Sequence, residues 1–484
     1  MTDDRGRPPR ADRDPASRPS RGSRRPQPAR DGAPRGERPE RTADEPGLAT
    51  RRLAVDILSD VLDGGRPLDQ VLDHRASIPS FRNLEPADRA FVRALVSTTL
   101  RRLGLVDDAL KRLMSRPLPS KAVRVRHILR VAAAQLLFMG VPDHAAVSLA
   151  TELASRDRAL QPWKAMVNGV LRSLVRERET ILADQDGERL VTPLWLWRDW
   201  CETWGEEAAR AFARVHMVEP ALDLSVRSDA AGWAERLGGV VLPTGSVRLV
   251  PHGRIDEMAG FTAGEWWVQD AAAALPARLL GPVAGLTVAD LCAAPGGKTA
   301  QLAAAGAEVT AVDVSAGRLE RLKQNLARLR LTDVATVAAD LETWTPKAAF
   351  DAILLDAPCS ATGTLRRNPD VGRHHKAGDV VELAALQARL LARAAEWVKP
   401  GGLLVYCTCS LQKAEGEDQI AAFLAADPRF ERVPVRPEEV GGLVGAITAE
   451  GDLRTRPDLL AAEDPRLAGL DGFFAARLRR RDEG

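Results

Sequence analysis

The second half of the chain repeats one pattern, a short apolar run followed by a turn and a helical segment. The clearest runs are LTVADL, VTAVDV, DAILLDAP and GLLVYCTCS, and helical segments such as 316–329 lie between them. This alternation predicts a doubly wound, mostly parallel sheet with helices on both faces. Ligands of such sheets bind at the carboxyl ends of the strands, so the residues that follow each run are the candidates for function.

The preceding part of the chain has a helical period instead. An apolar stripe with the spacing of a helix begins at Leu53 and ends at Leu62, just before two glycines. Short connectors rich in Pro, Gly and Asp separate further segments of the same kind. These segments cover 90–103, 123–138, 145–154 and 162–176. We therefore predict an all-α bundle over residues 48–180.

Two other segments complete the predicted organisation of the 484 residues. Residues 1–47 have almost no large apolar side chain, so we predict a disordered Arg/Pro-rich tail. Residues 181–262 mix helical and strand-like patterns and form a linking segment between the bundle and an α/β domain at 263–484. This linking segment contains four tryptophans that we expect to pack in a core or a domain interface, namely Trp195, Trp197, Trp200 and Trp204.

Composition excludes several classes of protein. The formal net charge is only +2, so any basic patch must be local. Five cysteines at irregular spacing argue against a disulfide framework, and no spacing of Cys and His indicates zinc. The longest apolar stretch, 131–141, is shorter than the ~20 residues that span a bilayer, and no apolar signal segment begins the sequence. We expect a cytoplasmic monomer with no metal and no membrane partner.

Glycines and acids stand at the ends of successive predicted strands. The first run continues into DLCAAPGGKT, where Gly296 and Gly297 allow a ligand to approach the backbone closely. Asp313 ends the second run, where nucleotide-binding folds place an acid on ribose hydroxyls, and Asp340 ends the stretch VATVAAD. The glycine loop is neither GxGxxG nor a P-loop. The pattern therefore predicts a nucleotide-like ligand without identifying it.

Two later runs bring thiols to the same edge of the predicted sheet. Asp356 and Cys359 belong to DAPCSATG, and Cys407 and Cys409 belong to VYCTCS. A lone buried cysteine is usually an inert small hydrophobe. Thiols and a carboxylate that converge on one edge favour catalysis instead. Because Cys407 and Cys409 are two residues apart on a strand, both side chains share one face.

These motifs resemble the signature of the bacterial Sun/Fmu (RsmB-like) ribosomal RNA cytosine-C5 methyltransferases. The similar elements are CAAPGGKT, DAPCSATGTLRRNPD, KPGG and YCTCS. In the helical part, HILRVAAAQLLFMGVPDHAAV and KAMVNGVLRSLVRE are similar to the NusB-like RNA-binding domain of these enzymes. The resemblance begins at about residue 50 and extends to the end of the chain. It implies a multidomain protein in which an all-α NusB-like bundle precedes a Rossmann-like α/β methyltransferase domain, with residues 181–262 contacting RNA.

The resemblance also implies a reaction and the residues that perform it. The cofactor would be S-adenosylmethionine, and the partner would be RNA, with 16S small-subunit ribosomal RNA expected. Cys409 matches the family's nucleophile, which forms a covalent adduct with cytosine. Cys359 matches the residue that assists release of the methylated product. Lys298 and Asp356 would hold the cytosine.

Further residues match the cofactor site of the family. Asp313 would bind the ribose of the cofactor, Asp340 would lie by its adenine, and Asp356 would sit between methyl donor and base. The glycine loop would hold the amino-acid part of the cofactor. That loop comprises Cys292, Ala293, Ala294, Pro295, Gly296, Gly297 and Lys298.

The chain departs from the family pattern at two places. Cys407 stands where the family often has Ala or Ser, so a contribution of this thiol stays open. The loop VGRHHKAGD is less basic than its family counterpart, which puts the local RNA contacts in doubt. A basic loop at Arg366 and Arg367 is expected to grip RNA phosphates.

Other readings of the same features stay open. A nicotinamide dehydrogenase would share the sheet but would need the GxGxxG loop that is missing here. A methyltransferase for exocyclic amines would need Asp/Asn–Pro–Pro–aromatic after the fourth strand. Transfer RNA is an alternative substrate, and a non-catalytic RNA-binding factor of the NusB type is an alternative function.

Overall fold

The structure is a computed structural model that describes residues 47–250 and 253–482. The predicted tail 1–47 therefore lies outside the described residues, except for Gly47. Within the described ranges no helix is both long enough and apolar enough to cross a membrane.

The N-terminal part is the predicted helical bundle. Its helices are α1 (Leu48–Leu62), α2 (Leu68–Ser77), α3 (Pro79–Arg82), α4 (Pro86–Arg101), α5 (Leu103–Leu113), α6 (Val123–Phe138), α7 (Asp143–Arg156), α8 (Lys164–Asp184) and α9 (Gly187–Val191). Helix α6 is central, because α1, α4, α5, α7 and α8 all contact it. It coincides with the predicted segment 123–138. The domain boundary predicted at 180 falls inside α8.

The middle segment combines helices with a small sheet. Its elements are α10 (Leu194–Trp204), α11 (Glu206–His216), β1 (Leu222–Val226), α12 (Ala230–Leu237), β2 (Val240–Val241), β3 (Val247–Leu249) and β4 (Trp266–Val268). The four strands form an antiparallel sheet in the order β2-β3-β1-β4. Trp200 is fully buried in a cluster with Leu365 and Leu411, and the other three tryptophans of α10 pack against that cluster. The predicted core and interface packing of these tryptophans is confirmed.

The C-terminal part contains the predicted parallel sheet. Its elements are α13 (Leu275–Arg278), β5 (Thr287–Leu291), α14 (Gly297–Ala304), β6 (Glu308–Asp313), α15 (Ala316–Arg328), β7 (Ala335–Ala338), β8 (Phe350–Asp356), α16 (Val371–His374), α17 (Ala377–Glu396), β9 (Val398–Thr408), α18 (Glu417–Ala426), β10 (Phe430–Arg432), β11 (Leu453–Thr455) and β12 (Phe473–Arg480). The parallel strands lie in the order β9-β8-β5-β6-β7. Their registers align Asp356 with Cys407 and Asp313 with Ala338, so the candidate residues share one edge.

Strand β12 extends this sheet in the antiparallel direction, which the strand–turn–helix pattern does not predict. It pairs with β9 from Phe474 to Arg479, and β10 and β11 pair with its other side. The run FFAARLRR contains good helix formers, so its local preference does not indicate a strand. Pairing with β9 brings Phe473 to the edge that carries the candidate residues.

The helical bundle packs against the loop that follows β8. One guanidinium nitrogen of Arg101, in α4, donates to the carbonyl oxygens of His216 and Arg366, both at 2.8 Å. The backbone N–H of Leu68 donates to a carboxylate oxygen of Asp370 at 2.9 Å. Charged and backbone groups that are buried away from water need such partners. These bonds therefore fix the bundle to the segment that leads away from Cys359.

Candidate active site

The glycine loop after β5 has the open backbone that a ligand site needs. Gly296 has a φ of +102°, and a Cβ placed there would lie 2.7 Å from Leu322. The side chain of Asp313, at the end of β6, accepts hydrogen bonds from the N–H groups of Ala294 (3.1 Å) and Ser315 (2.9 Å). The loop is thus held against the neighbouring strand end. Only glycine fits at 296, because both the positive φ and the contact exclude a side chain.

Asp290 lies beneath this loop, and the sequence pattern predicts no role for it. It is fully buried, and Thr299 donates to its Oδ2 at 2.6 Å. Its Oδ1 has no hydrogen-bond partner among the residues that the structure describes. Burial, helped by the nearby charge of Asp356, raises the pKa of Asp290 to about 7. A buried carboxyl oxygen of this kind, next to a glycine loop, suits a bound polar ligand.

The other predicted cofactor residue, Asp340, is exposed after β7. Its Oδ1 accepts a hydrogen bond from the backbone N–H of Glu342 at 2.9 Å, and its carbonyl oxygen accepts from Thr343. It lies one strand beyond Asp313 along the same edge. Asp340 therefore lies exposed at the edge that carries the other candidate residues.

Lys298 and Asp356 form an ion pair in the centre of the edge. Nζ of Lys298 lies 2.8 Å from Oδ2 of Asp356, and the lysine side chain is only 9% exposed. Burial lowers the pKa of Lys298, but Asp356, Cys407 and Cys409 outweigh that effect and hold the pKa above its usual value. The ammonium group also lies 4.9 Å from the ring centre of Phe473. Lys298 is therefore a fixed cation at this position.

The three thiols near the ion pair occupy two different places. Sγ of Cys407 is 3.4 Å from Oδ1 of Asp356, whereas Sγ of Cys409 is 3.5 Å from Sγ of Cys359. The hydrogen bond with Cys409, together with burial, raises the pKa of Cys359. Burial also raises the pKa of Cys407. Cys407 is fully buried while Cys359 and Cys409 are partly exposed, so only the latter pair can meet a ligand from solvent.

A fourth thiol, Cys292, lies in the glycine loop. It has a positive φ of 61° and is partly exposed. Burial, with the carboxylates of Asp356 and Asp313, raises the pKa of Cys292. This thiol therefore stays protonated, which suits a residue that lines a cofactor loop rather than a nucleophile.

A buried ion-pair network supports the edge from the side of the small sheet. Arg248 is fully buried and pairs with both carboxylate oxygens of Asp223, at 2.6 and 2.7 Å. Arg366 is 1% exposed and pairs with Asp270. Arg367 is partly exposed, pairs with Asp471 at 2.5 Å and lies within electrostatic reach of Cys409. These ion pairs therefore connect β1, β3 and the loop after β8.

The expected RNA-gripping role of the basic loop is wrong for Arg366. Its guanidinium is buried in the network, where the carboxylates of Asp270 and Asp471 offset the desolvation of its charge. Arg367 is the residue of this loop that reaches the site. Sequence reasoning treats both as exposed because their acidic partners lie about a hundred positions away along the chain.

The structure thus brings Lys298, Asp356, Cys359 and Cys409 together, with Asp313 and the glycine loop beside them. Within the described residues no group of His, Cys, Asp and Glu could hold a metal ion. The arrangement offers two partly exposed thiols in contact with each other, a fixed cation and a carboxylate.

Family models match both halves of the chain. A family described as 16S rRNA methyltransferase RsmB/F matches residues 277–479, and the NusB family matches residues 48–176. The ribosomal RNA small subunit methyltransferase B of Xanthomonas campestris pv. campestris is 39% identical over 450 residues, which are 89% of this chain and 97% of that protein. The protein of the same name from Xylella fastidiosa (strain Temecula1) is 36% identical, over 89% of this chain and 98% of its own.

Solved structures share the fold. The crystal structure of PH0851 is 24% identical, covers 90% of this chain and 99% of its own, and superposes with a TM-score of 0.67. The structure of NSun6 from Pyrococcus horikoshii with SFG is 19% identical, with a TM-score of 0.50 over 60% of this chain and 99% of its own. The likeness to PH0851 extends over both the helical bundle and the parallel sheet, because it covers most of this chain.

Proposed function

The chain belongs to the RsmB/F family of 16S rRNA methyltransferases, and we propose that it methylates carbon 5 of a cytosine in small-subunit ribosomal RNA through Cys409. The observation that carries this proposal is the pairing at one sheet edge of two thiols, Cys359 and Cys409, with the ion pair of Lys298 and Asp356. Methylation at an exocyclic amine or at an oxygen would not need the thiols. Methylation at carbon 5 of cytosine does need a thiol.

Carbon 5 of cytosine is a weak nucleophile until the ring is activated. A thiolate that adds to carbon 6 forms a carbon–sulfur bond and leaves the ring enamine-like, with carbon 5 electron-rich. The thiolate is the nucleophilic form of cysteine. Cys409 is partly exposed, unlike Cys407, so it can meet a base, and Lys298 and Arg367 lie within electrostatic reach of it. Cys409 is therefore the proposed nucleophile.

Lys298 and Asp356 are proposed to hold the base while this happens. An ammonium donates hydrogen bonds and a carboxylate accepts them, so together they match the mixed donor and acceptor edge of cytosine. The carboxylate of Asp356 can accept from the exocyclic amine, and Lys298 can stabilise negative charge that develops on the ring. Their fixed separation of 2.8 Å means that little reorganisation is needed during the reaction.

Release of the methylated base requires the carbon–sulfur bond to break. A base removes the proton from carbon 5, the electron pair re-forms the ring double bond, and Cys409 leaves as a thiolate. The thiol of Cys359, 3.5 Å away, can donate a hydrogen bond to the departing sulfur. Its raised pKa keeps the proton on Cys359 for this purpose. This is the proposed role of Cys359 in product release.

The residues at the glycine loop fit S-adenosylmethionine, the cofactor of this methyltransferase. When bound, it supplies a methyl group carried on a sulfonium sulfur. The loop 292–298 would hold its amino-acid part, where Gly296 leaves the backbone open and Asp290 has an unpaired carboxyl oxygen. Asp313 would bind the ribose and Asp340 would lie by the adenine. Asp356 would separate this site from the base.

RNA binding is proposed for the helical bundle and the middle segment. A base inside a stacked helix cannot reach Cys409, so the target must be single-stranded or flipped out. The NusB-family bundle, which the loop after β8 joins to the site, would position the RNA around it. A ribosomal RNA substrate means action in the cytoplasm, and the proposed active form is the monomer, since the described site is built within one chain.

The test is nucleoside mass spectrometry of unmodified 16S ribosomal RNA after incubation with the protein and S-adenosylmethionine. The native protein should produce 5-methylcytidine, and Cys409→Ala should not. Cys201→Ala is the matched control, because Cys201 lies in α10 away from the ion pair and should leave the activity intact. Product from Cys409→Ala would make another thiol the nucleophile.

The same assay separates the alternatives. Product on transfer RNA but not on ribosomal RNA would replace the substrate and keep the reaction. A protein that binds both cofactor and RNA but methylates neither substrate would act as a non-catalytic RNA-binding factor of the NusB type.

A further inference from the structure

Glu415 is a buried carboxylate that lies between the two loops that carry the site's partly exposed thiols. Its Oε1 accepts hydrogen bonds from the N–H of Ser360 at 2.8 Å and from Nε2 of Gln387 at 3.0 Å. Its Oε2 accepts from the hydroxyl groups of Ser360 and Ser410, both at 2.5 Å. The side chain is fully buried. Four donors therefore converge on one carboxylate.

The backbone of Glu415 binds the same region. Its carbonyl oxygen accepts from the hydroxyl groups of Tyr406 (2.9 Å) and Thr408 (3.1 Å), both in β9. Gln387 in turn donates to the carbonyl oxygen of Pro358 at 2.9 Å. Glu415 thus connects the end of β9, the loop after β8 and helix α17 through bonds to side chain and backbone alike.

The two serines make this arrangement relevant to the reaction. Ser360 directly follows Cys359, and Ser410 directly follows Cys409, and both are fully buried. Their hydroxyl oxygens lie 3.2 Å apart, while the two sulfurs lie 3.5 Å apart. Strands β8 and β9 end at Asp356 and Thr408, so both cysteines stand beyond the ladder that fixes backbone position. Beyond the end of the strand pairing, the carboxylate of Glu415 holds the backbone of the two loops in position.

The charge of Glu415 matters as well as its shape. An amide in its place would keep one accepting oxygen for the N–H of Ser360 and for Gln387, but its NH₂ group could not accept from the hydroxyls of Ser360 and Ser410, and the negative charge would be lost. The negative charge also faces Cys359, where it acts with Cys409 and burial to disfavour the thiolate. The charged groups within electrostatic reach of Cys409 are instead the cations Lys298 and Arg367. The surroundings thus distinguish the two thiols.

We propose that Glu415 is a positioning residue that holds Cys359 against Cys409, so that the covalent adduct can be released. This inference rests on the proposed function, because it concerns the same two thiols. Glu415 is buried away from the base and the cofactor, and it acts only through the two loops.

The test compares Glu415→Gln with the native protein and with Asp418→Asn. Asp418 is an exposed carboxylate three residues further along, so its variant controls for lost charge. Glu415→Gln should lower kcat by about 10-fold to 100-fold, the loss expected when a reacting group is displaced by about 1 Å. KM for RNA and the Kd for S-adenosylmethionine should stay near their native values. A larger share of the protein should be trapped on RNA as a denaturant-resistant adduct.

Two readouts separate a positioning role from a general weakening of the fold. Adduct accumulation requires an intact nucleophile and an impaired release, which a loosened fold would not produce. Alkylation by iodoacetamide, mapped by mass spectrometry, reports the two thiols without any RNA. In the native protein Cys409 should react faster than Cys359, and in Glu415→Gln this preference should shrink.

The outcomes decide the proposal in each case. A stable Glu415→Gln protein with native kcat, native adduct level and native alkylation preference would overturn it. If Glu415→Gln does not fold, Ser360→Ala and Ser410→Ala each remove one donor, and unchanged adduct levels and alkylation preference in both would overturn it equally. If the native protein methylates no RNA, the proposed function fails, while the alkylation preference still tests the hold of Glu415 on the two thiols.

Discussion

Nζ of Lys298, in the first turn of helix α14 after β5, lies 2.8 Å from Oδ2 of Asp356, at the end of the neighbouring strand β8. Lys298→Met should therefore lower kcat/KM by about 10²-fold to 10³-fold, the usual loss when a fixed donor for developing charge is removed. Steady-state methylation of RNA checks this result. Lys399→Met is the matched control, because Lys399 pairs with Asp351 at the same 2.8 Å but at the amino ends of the strands. Equal losses in both variants would contradict a role specific to Lys298.

The two thiols that contact each other, Cys359 and Cys409, should give opposite results when each is removed. Cys409→Ala should form no adduct with RNA and no product, because the proposed nucleophile that adds to carbon 6 is removed. Cys359→Ala should still form the adduct but release it slowly, since the departing sulfur loses its hydrogen-bond donor at 3.5 Å. Gel electrophoresis in denaturant separates the adduct from free protein.

A third variant tests the remaining thiol at the end of β9. Cys407→Ala should keep adduct formation and product, because Cys407 is fully buried against Asp356. An adduct that survives in Cys409→Ala but not in the double variant with Cys407→Ala would show that the strand-end thiols have been assigned in the wrong order.

The parallel sheet and the edge that holds the candidate site can be predicted from the sequence, because both depend on local patterns. Apolar runs predict β5, β6, β8 and β9, and in a parallel sheet their carboxyl ends must share an edge. The location of Asp356, Cys359 and Cys409 at this edge follows from the strand pattern alone. Their separations do not, since register and loop conformation depend on contacts between distant residues.

Glu415 and Arg366 show what a pattern cannot provide. Glu415 is one acid among many in a surface-like segment, and its partners Ser360 and Gln387 lie 55 and 28 positions away. Arg366 has the sequence context of a basic loop, but it is buried and pairs with Asp270, which lies 96 positions away along the chain. Burial of a charge is decided by such partners rather than by local composition. The antiparallel strand β12 is missed for a similar reason, because its pairing with β9 overrides its helical preference.

The glycine loop offers a test of the cofactor site. Gly296→Ala should weaken S-adenosylmethionine binding and destabilise the protein by about 1–3 kcal/mol, because a left-handed backbone is strained for alanine and the new Cβ meets Leu322. Its φ is +102° and the contact is 2.7 Å. Isothermal titration with the cofactor and thermal unfolding measure the two effects.

Gly317→Ala is the control for this variant. Gly317 lies in the first turn of α15 with no atom within 4 Å of the added Cβ, so alanine should stabilise that helix by about 0.5–1 kcal/mol. Cofactor affinity should not change. Native affinity in Gly296→Ala would mean that the loop does not hold the cofactor.

Asp290 should make the stability of the protein depend on pH. Burial raises the pKa of its folded carboxyl from 3.8 to about 7. The contribution of the Asp290 carboxyl to the free energy of unfolding is fully present below pH 3.8, where this group is protonated in both the folded and the unfolded chain. Between pH 4 and 7 the unfolded chain ionises while the folded carboxyl keeps its proton, so the free energy of unfolding falls. The total fall is about 4 kcal/mol at about 1.4 kcal/mol per pKa unit.

Asp290→Asn removes this titration while keeping an oxygen that can accept from Thr299. The difference in the free energy of unfolding between the variant and the native protein should therefore grow in favour of the variant from pH 5 to pH 8, by about 2–3 kcal/mol. Urea unfolding of the cofactor-free protein at both pH values measures it. Asp351→Asn is the control, because hydrogen bonds from Lys399 and Thr287 lower the pKa of Asp351 to about 2, so its titration is complete before pH 5. A pH-independent difference for Asp290→Asn would mean that the folded carboxyl does not titrate between pH 5 and pH 8, which would contradict a pKa raised to about 7 by burial.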